Sequence, residues 1–287
     1  MYPLISAIGL KEFLQKRSAD SKIHLIDVRH SLQDPDLGRR SYLEGHLPGA
    51  VFFNVDQDLS TTPTGTNGRH PLPERSNFTA LLSSRGMQAS DHYIIYDELN
   101  SMFAARLWWM LRWVGCANVQ VLNGGLAAWV AVGGELEAGD VPFGAAIEWQ
   151  DSPRLDGGRV NVDEVEVNIR LKDFLVIDAR SAERFTGEEK QMDPVAGHIP
   201  GAVNRPFTEN LDDSCQFKSS DVLRREFNDL LGVRPSSEVV AQCGSGISAC
   251  HNLLAMEIAG LKGAKLYAGS WSEWISDPNR PVATGSQ

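Results

Sequence analysis

The residues best placed for chemistry lie in one short segment, which reads Val-Val-Ala-Gln-Cys-Gly-Ser-Gly-Ile-Ser over 239–248. A run rich in β-branched residues leads into Cys243, and two glycines and a helix-compatible segment follow it. This pattern predicts a strand that ends at Cys243 and a tight loop that leads into a helix. Gly244 and Gly246 tolerate positive φ, so we expect successive N–H groups of the loop to turn toward the cysteine sulfur.

Such a loop favours a negative charge on Cys243. N–H groups that point inward and a following helix N-terminus both stabilise an anion. A thiolate is a nucleophile, whereas a thiol is not. The same loop would also hold a persulfide, whose outer sulfur carries negative charge. The alternative is a buried structural cysteine, and we expect that role for Cys250, seven residues further on.

Cysteine-dependent phosphatases present a competing chemistry. They place an arginine six residues after the cysteine, because a guanidinium holds a phosphoryl group with two hydrogen bonds. Here that position is Ala249. The sequence therefore argues against phosphatase activity.

Three motifs that surround this loop occur twice in the chain, with offsets of 151, 152 and 145 residues. They pair Leu-Ile-Asp-Val-Arg (25–29) with Val-Ile-Asp-Ala-Arg (176–180), Gly-His-Leu-Pro-Gly-Ala-Val (45–51) with Gly-His-Ile-Pro-Gly-Ala-Val (197–203), and Asn-Gly-Gly-Leu-Ala-Ala-Trp (123–129) with Ala-Gly-Ser-Trp-Ser-Glu-Trp (268–274). A period of this size indicates a duplicated domain rather than a solenoid. We expect domains over 1–146 and 160–287, joined by a linker over 147–159 that contains Gly157 and Gly158.

Each half alternates strand and helix patterns, which predicts an α/β fold with a parallel sheet covered by helices on both faces. Ligands of such sheets bind beyond the carboxyl ends of the strands. The spacing of Asn161 and Glu164 predicts a capping box where a helix of the second domain begins. The predicted strands are 24–28, 51–54, 93–96, 119–122, 174–177, 239–242 and 265–267, and the predicted helices are 78–85, 103–114, 222–231 and 248–259.

Composition limits the possible partners and location. The 287 residues are 42% hydrophobic, as in a globular protein, and 37 acidic against 27 basic side chains give a net charge of −10. An acidic surface repels phosphate backbones, so we expect no nucleic-acid partner. No apolar run is long enough to span a bilayer, and the N-terminus lacks the pattern of a signal peptide. With only four cysteines, we expect a soluble protein of a reducing compartment, most simply the cytoplasm.

The duplicated Asp-x-Arg and Gly-His-x-Pro-Gly-Ala motifs, together with the cysteine loop, resemble the tandem-domain sulfurtransferases of the rhodanese superfamily over essentially the whole chain. The loop Cys-Gly-Ser-Gly-Ile-Ser is similar to that of members that use 3-mercaptopyruvate, whereas members that prefer thiosulfate usually carry basic residues there. The resemblance implies a sulfane sulfur carried on Cys243 and passed to cyanide, a thiol or a thioredoxin-like protein dithiol. It implies no cofactor and no metal, and a first domain without catalytic activity. Asp97, which aligns with Cys243, agrees with that inactivity because a carboxylate does not accept sulfur as a thiolate does.

The resemblance also assigns roles to individual residues. It implies that Arg184 binds the donor's carboxylate and that Asp56 and His70 form a proton relay with Ser245. It further places Gly244, Gly246, Ile247 and Ser248 in the substrate-binding loop. Asp27, Arg29, His46 and their second-domain counterparts Asp178, Arg180 and His198 occur in both copies, so we expect them to be structural.

The sequence departs from the family pattern in three places. A second substrate arginine often follows the first by nine residues, but Asp193 stands there, and Lys190 is the candidate replacement. Ser248 replaces a threonine, and Ala268 replaces an aspartate. Because Gly244, Ser245 and Gly246 are neutral, we nevertheless expect 3-mercaptopyruvate as the donor, with thiosulfate as the alternative donor. A non-catalytic sulfur carrier or redox-sensing module is the alternative of a different class.

Overall fold

The computed structural model describes residues 1–16, 22–155, 157–189 and 192–286. The chain forms two compact units, and each unit contains one short segment from the other half of the sequence. The first unit contains residues 1–60, 73–155 and 213–217, and the second contains 61–72, 156–212 and 218–287. Among the described residues, no helix combines the length and the apolar composition that crossing a membrane requires.

The first unit is a five-stranded parallel sheet with the strand order β1-β5-β4-β2-β3. Its strands are β1 (Leu4–Ile5), β2 (Ile23–Asp27), β3 (Val51–Phe52), β4 (His92–Tyr96) and β5 (Asn118–Leu122). Its helices are α1 (Ala7–Lys16), α2 (Leu37–Glu44), α3 (Arg75–Ser84), α4 (Met102–Trp113) and α5 (Gly125–Ala131).

The second unit repeats this topology, with five parallel strands in the order β6-β10-β9-β7-β8. Its strands are β6 (Arg159–Val160), β7 (Leu175–Asp178), β8 (Val203–Asn204), β9 (Val239–Gln242) and β10 (Lys265–Tyr267). Its helices are α6 (Val162–Leu171), α7 (Ala182–Thr186), α8 (Ser220–Leu231), α9 (Ser248–Ile258) and α10 (Ser270–Trp274), with short 3₁₀ helices at Phe207–Asn210 and Ser236–Glu238.

Both sheets are buried on both faces, as parallel sheets generally are. In the first unit, Ile94 and Tyr96 of β4 pack in one apolar cluster with residues of α1 and α5. The alternate residues Tyr93 and Ile95 point to the opposite face and are equally inaccessible. In the second unit, every residue of the central strand β9 is buried. The predicted α/β class is therefore confirmed, and β9 and β10 have the predicted bounds.

The duplicated Asp-x-Arg pairs have the structural role expected of them. Arg180 binds the Asp178 carboxylate at the end of β7, and its Nη2 donates to the carbonyl of Gly197 at 2.8 Å. Arg29 makes the same bonds to Asp27 and to the carbonyl of Gly45. Each pair thus fastens a strand end to the turn of the second duplicated motif. The histidines of those turns accordingly bond to backbone carbonyls, His46 to Tyr42 and His198 to Phe185.

The predicted capping box is present at the start of α6. Asn161 Oδ1 accepts the Glu164 N–H at 2.9 Å, and Glu164 Oε2 accepts the Asn161 N–H at 2.7 Å. These bonds satisfy two N–H groups that the helix itself leaves unpaired.

We expect Asn161→Ala to lower the free energy of unfolding of the second unit by about 1 kcal/mol, because the cap's acceptor is lost. Urea denaturation followed by circular dichroism measures this change. Asn161→Asp keeps an acceptor in place and is the matched control. Equal stability of the alanine variant and the wild type would contradict the role of the cap.

Candidate active site

The cysteine loop lies at the carboxyl end of the central strand of the second unit. Strand β9 ends at Gln242, the loop runs over 243–247, and α9 begins at Ser248. The Cys243 side chain is buried, and the Gly246 N–H donates to its Sγ at 3.1 Å. One backbone N–H group thus points at the sulfur. The expected positive φ is found at Gly246 and not at Gly244, so the prediction that successive N–H groups turn inward is met only at Gly246.

Backbone geometry explains the glycine at position 246. Its φ is +82°, a left-handed conformation that glycine adopts without steric cost. A Cβ built there would lie 2.2 Å from the carbonyl oxygen of Ala268. Position 246 therefore excludes any side chain. The atoms that limit the space at this position belong to the Ala268 backbone.

The segment before and within α10 fixes the other half of the loop. The Cys243 N–H donates to Ser270 Oγ at 3.0 Å, and that hydroxyl donates to the Tyr267 carbonyl. The N–H groups of Trp271 and Ser272 donate to the carbonyls of Cys243 and Gly244. These bonds fix the loop to the end of β10 and to the start of α10, so the backbone that carries the Cys243 nucleophile is held in place.

A hydroxyl and an imidazole meet next to the cysteine. His70 Nδ1 lies 2.8 Å from Ser245 Oγ, because segment 61–72 folds as part of the second unit. The Ser272 hydroxyl holds this segment by accepting the N–H of Arg69 at 3.0 Å. Two of the three predicted relay residues are thus in hydrogen-bond contact.

Asp56, the third predicted member of the relay, belongs to the first unit. Its Oδ2 lies 3.9 Å from His30 Nε2 of the same unit. Burial lowers the pKa of His30, and the nearby Asp56 carboxylate opposes that shift. The catalytic role of Asp56 stays a prediction.

Two arginines converge on the position after the cysteine. A Cβ built on Gly244 would lie 2.8 Å from both Arg184 Nη2 and Arg69 Nη2. Asp193 joins the two side chains: Arg184 Nη2 donates to its Oδ2 at 2.5 Å and Arg69 Nη1 to its Oδ1 at 2.6 Å. Burial alone would raise the pKa of Asp193, but these hydrogen bonds outweigh it and hold the pKa below its usual value. A side chain at residue 244 would therefore have to displace these two guanidinium groups.

Arg69 is the site residue that sequence reasoning missed. The run Gly68-Arg69-His70-Pro71 drew attention only to its histidine, although the neighbouring arginine reaches the same loop. The loop itself carries no cation, as the sequence shows, but the guanidinium groups of Arg69 and Arg184 both reach the position after the cysteine. Lys190, the residue first considered as the second cation, lies outside the described residues.

The remaining candidates line the turn into α9. Ile247 is buried directly before the helix, and Ser248 is its first residue. Cys250 is buried, and its thiol lies 3.4 Å from the Gly246 carbonyl oxygen. Its location fits the structural role that we predicted for it.

The first unit has a carboxylate where the second has its cysteine. Asp97 follows β4, and its oxygens accept the N–H groups of Ser101, Phe103 and Ala104 at the start of α4. Burial raises the pKa of Asp97 despite these bonds. The N–H groups that could otherwise face a bound anion are thus occupied by the unit's own side chain.

Comparison with known proteins gives the family. The rhodanese-like domain family matches residues 10–132 and 161–277, which is most of the chain. The chain belongs to the rhodanese-like family. Its two matched regions are two rhodanese-like domains in tandem, and its similarity to named sulfurtransferases over nearly the whole chain makes it a sulfurtransferase.

Individual relatives differ in the donor that their names give. A Pseudomonas aeruginosa protein named a probable 3-mercaptopyruvate sulfurtransferase is 42% identical, covering 95% of this chain and 96% of its own. The thiosulfate sulfurtransferase of Gallus gallus is 32% identical and covers 95% of this chain and 93% of its own. The solved 3-mercaptopyruvate sulfurtransferase from Leishmania major superposes with a TM-score of 0.83 at 31% identity, covering 97% of this chain and 75% of its own.

We expect Asp97→Ala to destabilise this sulfurtransferase while leaving its turnover nearly unchanged. The substitution leaves three buried N–H groups without their acceptor, so unfolding should become easier by at least about 2 kcal/mol. Urea denaturation and a sulfur-transfer assay at 25 °C measure the two effects. A loss of turnover as large as that of Cys243→Ser would show instead that Asp97 takes part in the chemistry.

Proposed function

We propose that the enzyme takes sulfane sulfur from 3-mercaptopyruvate onto Cys243 as a persulfide and passes it to a thiol, cyanide or a thioredoxin-like dithiol. The observation that carries this proposal is the contact between His70 and Ser245 beside the cysteine loop. It supplies a proton donor at a site whose nucleophile is held on rigid backbone. A cytoplasmic location remains a prediction, and it suits an enzyme whose nucleophilic cysteine must stay reduced.

The first half-reaction explains why a proton donor is needed. The Cys243 thiolate attacks the sulfur of 3-mercaptopyruvate, a new S–S bond forms, and the donor's C–S bond breaks. The electron pair of that bond passes to the carbon fragment as the enolate of pyruvate. One proton converts the enolate to pyruvate, and Ser245, hydrogen-bonded to His70, is the group that we place to deliver it.

The second half-reaction returns the enzyme to its starting state. The acceptor's thiolate or cyanide attacks the outer sulfur of the persulfide, the S–S bond breaks, and the Cys243 thiolate leaves. Gly246 N–H, which lies 3.1 Å from Sγ, stabilises the sulfur anion at both ends of the cycle.

Thiosulfate is the second candidate donor, and the two guanidinium groups at Gly244 favour it. Thiosulfate is a compact dianion. Its leaving group is sulfite, which, unlike the enolate of pyruvate, needs no proton delivered to a carbon atom. A hydroxyl–imidazole pair at the cysteine is therefore not required for this donor. The presence of that pair is the reason for ranking 3-mercaptopyruvate first.

A non-catalytic sulfur carrier or redox sensor would need the cysteine but not the surrounding groups. Here Arg184, Arg69 and Asp193 lie against the loop on one side, and Ser245 is bonded to His70. These groups match the needs of an anionic donor and its leaving group. They support the enzyme over the carrier.

We expect wild-type protein treated with 3-mercaptopyruvate to gain the mass of one sulfur atom, and Cys243→Ser to gain none. A serine hydroxyl stays protonated and holds no sulfane sulfur. Intact-mass spectrometry measures both, with Cys250→Ser as the matched control that should still gain sulfur. Sulfur uptake by the Cys243→Ser variant would contradict the assigned nucleophile.

The donor assignment has its own test, Ser245→Ala. General acid catalysis contributes about 10²- to 10⁴-fold, so kcat/KM for 3-mercaptopyruvate should fall by roughly 100-fold or more, and that for thiosulfate much less. Both constants are measured with cyanide as acceptor. Equal losses with both donors would remove the proton-transfer role, and a wild type that uses thiosulfate more efficiently would overturn the choice of donor.

A further inference from the structure

Arg69 is a second cation beside the cysteine loop, in addition to Arg184. The position at which related sequences often carry a second arginine is acidic in this chain. Asp193 stands nine residues after Arg184, and its carboxylate bridges Arg184 to Arg69. The Asp193 side chain is only 7% exposed, that of Arg184 14% and that of Arg69 38%. The bridge is therefore built into the protein, with its Arg69 end facing solvent.

The charges of this bridge can be counted. Two guanidinium groups and one carboxylate leave one net positive charge. Arg180 Nη1 also lies 3.7 Å from Asp193, but the buried Asp178 carboxylate, 2.6 Å from Arg180 Nη2, balances the charge of Arg180. The surplus charge thus belongs to Arg69 and Arg184, and Asp193 sets its size.

The surplus charge faces the position where a donor must approach. Arg69 Nη2 and Arg184 Nη2 both border the space that a side chain at residue 244 would fill, one residue after the nucleophile. Among the described residues, Arg184 Nε is buried and has no hydrogen-bond partner. Since a buried donor without an acceptor is costly, this arginine has unused capacity for an anion.

We propose that Arg69 and Arg184 together bind the anionic group of the sulfur donor, and that Asp193 sets the preference for a monoanionic over a dianionic donor. The proposal rests on the function proposed above, because it names the groups that hold that donor. 3-Mercaptopyruvate carries one carboxylate, which matches one surplus charge. Thiosulfate carries two negative charges, and the single net positive charge of the bridge neutralises only one of them.

Replacing Asp193 should change donor preference in a defined direction. Asp193→Asn keeps the shape of the side chain but raises the surplus charge from one to two. The added charge attracts a dianion about twice as strongly as a monoanion, since Coulomb energy scales with the product of the charges. We expect the ratio of kcat/KM for thiosulfate to that for 3-mercaptopyruvate to rise roughly tenfold or more.

Replacing Arg69 should move the same ratio the other way. Arg69→Ala leaves no surplus charge, so the ratio should fall, and KM for 3-mercaptopyruvate should rise about 10- to 100-fold because a charge-assisted hydrogen bond is lost. Arg69→Lys retains the charge and should restore the ratio, although a lysine lacks the planar fork of arginine. The exposed residues Asp229 and Arg225 of α8 provide charge-matched controls, Asp229→Asn and Arg225→Ala.

The ratio is measured on one preparation of each variant, so any misfolded fraction cancels. Opposite shifts in Asp193→Asn and Arg69→Ala, with unchanged ratios in both controls, are the expected result. An unchanged ratio in either site variant overturns this proposal even if the wild type forms the persulfide from 3-mercaptopyruvate. A wild type that favours thiosulfate overturns the donor assignment, and the direction of the two shifts still decides the role of the bridge.

Discussion

The hydrogen bond from Gly246 N–H to Cys243 Sγ is the interaction on which the site depends. It exists because the backbone turns through a positive φ at Gly246, and that turn is possible only because no side chain separates Gly246 from the Ala268 carbonyl. The loop is in turn fixed by Ser270 and by the N–H groups at the start of α10. The sulfur therefore meets its stabilising group without any reorganisation during the reaction, which is how preorganised dipoles contribute most.

The two units show how one fold provides both a reactive and an inert site. In each, a strand at the centre of the sheet leads into a loop and a helix N-terminus, an environment that favours negative charge. Asp97 occupies that environment permanently with its own carboxylate. Cys243 occupies it with a sulfur that can accept another sulfur. The duplication thus separates structural from chemical roles: the Asp-x-Arg pairs persist in both units, whereas the nucleophile is present only in the second.

Local sequence patterns predicted the parts of the fold that local physics determines. The β-branched run before Cys243 gave the exact bounds of β9, and the Asn161–Glu164 spacing gave the capping box. Strands β1 and β6 are only two residues long, so they carry no alternation to detect. The place of Arg69 depends on segment 61–72 folding with residues far along the chain. No local pattern reports such a contact, whereas family resemblance identified His70 because it carries information about distant neighbours.

The departure at Asp193 illustrates why a substituted position is best judged from its charge environment. From spacing alone, an acidic residue in place of an arginine removes a donor-binding cation and adds repulsion. In the folded unit, that carboxylate is buried, ionised and bonded to two arginines, so it orders them instead of repelling the substrate. Its negative charge still affects the donor, because it lowers the net positive charge that the donor meets from two to one. The same residue thus positions the cations and limits their strength, and a single substitution that preserves its shape separates these two effects.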